Sequence, residues 1–146
     1  MLAFLTGEGV TWKLVGWLFY NVHLVSVRIP GLFGGTTRNF ATGADDPGVV
    51  AALALPPLLL GLAGLAAAWR TSGDRSVSAR NGAAVALGYL PPSVAGAFLF
   101  ELSAGDATAG PVVLTAVLVA GLAYPLVLGA VGGGLGPVLA DALTGD

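Results

Sequence analysis

Three uninterrupted apolar stretches constrain this chain more than anything else in it. Val49–Trp69 is 21 residues without a charge, a side-chain amide or a hydroxyl. Gly82–Phe100 is 19 residues, polar only at Tyr89 and Ser93, and Pro111–Val131 is 21 residues, polar only at Thr115 and Tyr124. About 20 apolar residues suffice for a helix to cross the hydrocarbon of a bilayer. An amphipathic surface helix would instead show charge every third or fourth position. The charge count agrees: six Lys/Arg and eight Asp/Glu among 146 residues are too few to cover a soluble domain. That excludes an ordinary soluble enzyme, a disordered tail and a nucleic-acid binder, which needs a basic face. With no cysteine, disulfides and thiolate metal sites are excluded too. The sequence therefore reads as an all-α integral membrane bundle, a single domain over residues 1–146 in contact with the lipid bilayer.

The ends of the stretches fit helix boundaries. Asp46 is an N-cap with Pro47 in the first turn; Ser78 can cap the second span, and Pro111 opens the third. Trp69 with Arg70, and Phe98–Phe100 with Glu101, mark interfaces. The Gly132–Gly134 run is expected to loosen the chain after the third span. Gly129 with Gly133, and Gly132 with Gly136, form small-xxx-small pairs.

The first third is less regular. Leu14–Ile29 is apolar over about 16 residues yet includes Asn21, His23 and Arg28, and at 1.5 Å per residue it reaches only about 24 Å. The reading taken is a fourth span, with Trp12 and Lys13 anchoring one end and Arg28 snorkelling at the other. The alternatives are a re-entrant segment or one lying against the other helices. Met1–Leu5 is apolar but too short to cross; it reads either as the remnant of an upstream helix or as a frayed terminus. The expected spans are thus 14–29, 49–69, 82–100 and 111–131. Arg70, Arg75 and Arg80 crowd one loop, which the positive-inside rule places in the cytoplasm as residues 70–81.

Inside the stretches, prolines and isolated polar groups carry the chemistry. Pro56, Pro57, Pro91, Pro92 and Pro125 each remove a backbone hydrogen bond and should kink or open a helix. Leu55-Pro-Pro-xxx-Gly61 recurs as Leu90-Pro-Pro-xxx-Gly96, a pattern that broken-helix transporters use, although a packing kink is the preferred reading. The densest polar run is Trp12–His23. Read as a helix, Lys13, Trp17, Tyr20, Asn21, Leu24 and Arg28 share a stripe, and His23 points away from it. An amide or imidazole at membrane depth is a functional-site hypothesis by default, and His23 can titrate near neutral pH. The preferred alternative has Tyr20, Asn21 and His23 bonded to backbone carbonyls, with Tyr89 and Tyr124 acting as glue beside the proline breaks. The five make up the candidate intramembrane site.

Catalytic signatures are missing from the sequence. A lone histidine cannot form a zinc pair, and no nucleophile elbow, Walker sequence or dinucleotide fingerprint occurs. No enzyme activity and no cofactor are expected. The function expected is a helix-packing or accessory subunit of a homo- or hetero-oligomeric membrane assembly. The alternative is a small oligomeric transporter or channel, of unknown small-molecule substrate, using the proline-broken helices and Asn21/His23. At Trp12-Lys13, Gly16-Trp17 and Phe19-Tyr20-Asn21-Val22-His23 the chain resembles a group of small, uncharacterised multi-pass membrane proteins of halophilic archaea. Leu55-Pro56-Pro57-Leu58-Leu59-Leu60 resembles that group's later proline-containing element. The resemblance implies an additional N-terminal span and no activity that can be carried over.

Overall fold

A computed structural model describes residues 10–31, 33–69 and 74–144; Met1–Leu5 and Arg70 lie outside the described residues. Helix dominates. The described elements are α1 (Thr11–Val22), β1 (Val27–Ile29), β2 (Thr36–Arg38), α2 (Pro47–Ala52), α3 (Leu55–Ala68), α4 (Arg75–Ala83), α5 (Val85–Leu99), β3 (Leu102–Ala104), β4 (Ala107–Pro111), α6 (Val113–Thr115), a π-helical segment Ala116–Ala123, and α7 (Tyr124–Thr144). They join into three long helices, Pro47–Ala68 (22 residues), Arg75–Leu99 (25) and Val113–Leu143 (31), each long and apolar enough to cross a membrane.

Capping sets where these helices begin. Asp46 Oδ1 accepts from the Gly48 and Val49 amides at 2.9 and 3.1 Å, with Pro47 in the first turn. The second helix starts seven residues ahead of the apolar run, because Asp74 rather than Ser78 is its cap. The Ser76 amide and then its hydroxyl hold the Asp74 carboxyl below the usual carboxylate value. Ser78 is instead buried inside α4, where its Oγ has no hydrogen-bond partner. Pro111 closes β4 and the third helix opens at Val113. That helix then runs straight through Gly132–Gly134, which the sequence had marked as a loosening point.

Contact explains why those glycines stay helical. A Cβ on Gly132 would collide with the Gly61 carbonyl, one on Gly64 with Gly129, and one on Gly82 with the Gly129 carbonyl and Gly133 Cα. Three backbones meet there at a separation that only a missing side chain permits. The tertiary gain overrides the roughly 1 kcal/mol that each glycine costs a helix interior.

Two expectations are corrected here. Residues 14–29 are not one helix: α1 ends at Val22 after 12 residues, about 18 Å. The chain turns through Leu24, the one non-glycine residue with positive φ (61°) among those described. The Leu24 amide bonds Asn21 O (3.0 Å) and the Val25 amide bonds Tyr20 O (2.9 Å), the paired bonds of a Schellman stop. The fold is also not all-α. β1 pairs antiparallel with β2 and β4, and β4 with β3, giving a four-stranded sheet in the order β2-β1-β4-β3. β3 and β4 are joined by a two-residue turn with Gly105 at φ 63°. Short strands with no sustained alternation leave little trace in a sequence.

The prolines fall differently along the helices. Pro56 and Pro57 stand in the first turn of α3, just after the turn at residues 53–54 that separates it from α2. Pro91 and Pro92 lie inside α5. Pro125 follows the π-helical segment, the second residue of α7. One core cluster is formed by Tyr20, Val25, Ala97, Ala116 and Ala120, and another, against the sheet, by Trp17, Val27 and Ala109.

Candidate functional site

α1 is laid along the second half of α5 in the opposite direction, and a ladder of side chains fixes it there. Lys13 Nζ donates to Glu101 O, and Trp17 Nε1 to Phe100 O at 2.8 Å. Deeper along the helix, Tyr20 OH donates to Ser93 O, and His23 meets Tyr89 at 2.8 Å. Lys13, Trp17 and Tyr20 are half of the six-residue stripe that helical spacing marks out; against that reading Asn21 turns elsewhere, Leu24 and Arg28 lie beyond the end of α1, and His23 joins the ladder. Gly16 belongs to the same arrangement, since the Phe100 ring occupies the place a Cβ would take. Ser93 extends the ladder into the third helix by donating to Ala116 O at 3.3 Å, at the start of the π-helical segment.

His23 closes the ladder and the helix together. The helix end turns the His23 amide to Tyr20 O, so the Phe19 carbonyl takes the ring proton from Nδ1 at 2.7 Å. A carbonyl can only accept. Nδ1 therefore carries a hydrogen, and in the neutral ring Nε2 offers its lone pair to the Tyr89 hydroxyl. The ring is 2% exposed and stacks among Phe19, Tyr124 and Tyr89 at centroid distances of 4.3, 5.5 and 5.7 Å. The histidine is thereby a joint between α1, α5 and α7.

Asn21 faces the other way. Its amide donates to Val25 O at 3.1 Å, its Oδ1 accepts from the Phe40 amide at 2.5 Å, and its backbone carbonyl accepts from Asn39 Nδ2 at 2.8 Å. It thus ties the α1 stop to the chain that leaves β2. Of the five candidate residues, His23, Tyr89 and Tyr124 come together, and Tyr20 stands one turn away on Ser93. Asn21 does not join them. The sequence reading missed Asn39 and Phe40, whose only signal is an ordinary turn composition.

Two cavities flank the ladder. One of about 480 Å³ lies between α1, α3 and Tyr89, with Leu18, Val22, Leu55, Leu59 and Ala63 in its wall. The other, about 460 Å³, lies between α1 and the C-terminal half of α5, with Trp12, Gly16, Pro92 and Phe100 around it. Among the described residues no group of three or more His, Asp and Glu is placed to hold a metal ion.

Residues 1–140 match the model of a family of unknown function, DUF7978, and the chain belongs to that family. No curated protein and no solved structure matches it.

Proposed function

We propose that this protein is a non-catalytic, multi-pass subunit of the cell membrane. It packs as an accessory element in a homo- or hetero-oligomeric assembly, with residues 70–81 on the cytoplasmic side. One observation carries the reading. Tyr20, Asn21, His23 and Tyr89 are committed to partners within the chain, as helix glue requires. The alternative, a transport pathway, needs a hydrated route to Asn21 or His23. The cavity that reaches His23 is walled by aliphatic and aromatic side chains, in which water would lack partners. Exposed leucines such as Leu58, Leu59, Leu62, Leu87 and Leu126 supply the surface for lipid or neighbouring subunits. The chain's place among the multi-pass proteins of halophilic archaea is part of the proposal and rests on the Trp12–His23 segment.

The test is purification from native membranes in mild detergent, followed by native mass spectrometry. A second subunit at fixed stoichiometry is the expected result. A homo-oligomer that conducts solute after reconstitution would overturn the reading in favour of transport.

A further inference from the structure

The two cavities beside α1 are open along one side and walled by apolar side chains, several of them exposed, among them Val15, Leu18, Leu55 and Leu59. A concave, exposed apolar surface of this kind marks a membrane or ligand contact. Here cavities of about 480 and 460 Å³ adjoin each other, and Val15, Phe19 and Tyr89 line both. They cannot close by letting α1 settle onto α5, because α1 is pinned at four heights. The Trp17–Phe100 and His23–Tyr89 bonds fix its distance, and the Phe100 ring is wedged against Gly16 between them. Water is a poor filler. Both ring nitrogens of His23 are engaged, and the hydroxyl protons of Tyr20 and Ser93 are already donated to carbonyls.

Shape and charge narrow the occupant. The first cavity reaches Val85 and the second reaches Phe100, so the pair follows the length of α5. That helix has 15 residues, about 22 Å, against a bilayer leaflet of roughly 15 Å hydrocarbon depth. At the Phe100 end Lys13 Nζ lies 5.5 Å over the Trp12 ring, and Trp12 lines the opening. The Glu101 side chain packs over Gly110 instead, toward a small cleft that it shares with Arg28 and Thr108. Among the described residues the charged group beside Trp12 at the mouth is the Lys13 ammonium, and the interior is apolar. We propose that the paired cavities form one binding site for a hydrocarbon chain of an anionic membrane lipid, with its headgroup at Lys13.

The full chain, reconstituted in nanodiscs of equal parts phosphatidylglycerol and phosphatidylcholine and then moved to mild detergent, is examined by native mass spectrometry. One phosphatidylglycerol should remain per chain. Ala63→Phe fills the deeper cavity and should remove that lipid while circular dichroism keeps its helical signal. Lys13→Gln retains a donor for Glu101 O but loses the charge, and should lower the preference for phosphatidylglycerol about fivefold. A chain that emerges free of lipid overturns the proposal, and so does an Ala63→Phe protein that keeps it. A dimer that Ala63→Phe converts to lipid-free monomer would show that a second copy fills the cavities, and overturns it equally. Should Ala63→Phe fail to fold, Lys13→Gln decides alone: an unchanged lipid preference ends the idea.

Discussion

His23 is the residue on which the interior depends most, because it satisfies two groups at once. Its ring covers the Phe19 carbonyl that the end of α1 leaves unpaired, and it accepts the Tyr89 hydroxyl 66 positions away in sequence. Stranding a buried polar group costs about 1–3 kcal/mol. Tyr89→Phe leaves only Nε2 unpaired and should cost within that range. His23→Leu leaves both Tyr89 OH and Phe19 O unpaired and should cost more. The double variant should cost less than the two singles added, since the Tyr89 loss is then already counted. Thermal melting in detergent across the four proteins reads the coupling; strict additivity would mean that the His23–Tyr89 bond contributes nothing. Helical spacing singled out Lys13, Trp17 and Tyr20 as one face, which is how they sit. The partners of His23 and Asn21 were not legible, because each bond joins elements far apart in the chain and no local period encodes such a pairing.

At the scale of elements, the three long helices are held together by absent side chains rather than by large ones. Gly132 on α7 and Gly88 on α5 make a clean comparison. A Cβ on Gly132 meets the Gly61 backbone, whereas one on Gly88 meets nothing within 4 Å. Gly132→Ala should therefore destabilise by about 1–3 kcal/mol through overpacking. Gly88→Ala should stabilise by about 0.5–1 kcal/mol through helix propensity alone. Opposite signs in a chemical-denaturation series test this; equal effects would mean that the Gly61–Gly132 approach is not a packing contact. The same contrast explains what hydropathy could read. It located the apolar centres of all three helices and, through Asp46, the start of the first, but not the start of the second or the far end of the third. The polar first turns from Arg75 depend on the Asp74 cap, and the run through Gly132–Gly134 depends on neighbours. Leu24 hid the stop of α1, because a left-handed turn normally announces itself with glycine. The sheet was missed for a similar reason, its β4 reading Ala-Thr-Ala-Gly-Pro and its β1 being three residues long.

Orientation is a property of the whole molecule, and the short α1 changes how it is argued. Since α1 bonds to Glu101 at its start and the chain returns through β1 to pair with β4, Lys13, Arg28 and Arg38 stand at the sheet end of the helices. Arg75 and Arg80 lie in α4 at the opposite end, and Arg70 precedes them in sequence, so the six basic residues no longer crowd one side. A plain count no longer orients the chain. What still favours a cytoplasmic position for residues 70–81 is density: three arginines fall close together in sequence where two spans meet, and there the positive-inside bias is strongest. The absence of native cysteine makes the arrangement directly measurable with single substitutions at exposed positions. In intact cells a membrane-impermeant maleimide should label Thr11→Cys and Thr42→Cys alike and leave Ser76→Cys unlabelled until the cells are opened. If Ser76→Cys is labelled first, the orientation is inverted while the fold stands. If Thr11→Cys and Thr42→Cys report opposite sides, α1 crosses the bilayer, and the helix-and-strand hairpin that carries His23 against Tyr89 is wrong. The same three variants thus separate an error in orientation from an error in topology, because the first moves all labels together and the second splits the pair at the sheet end.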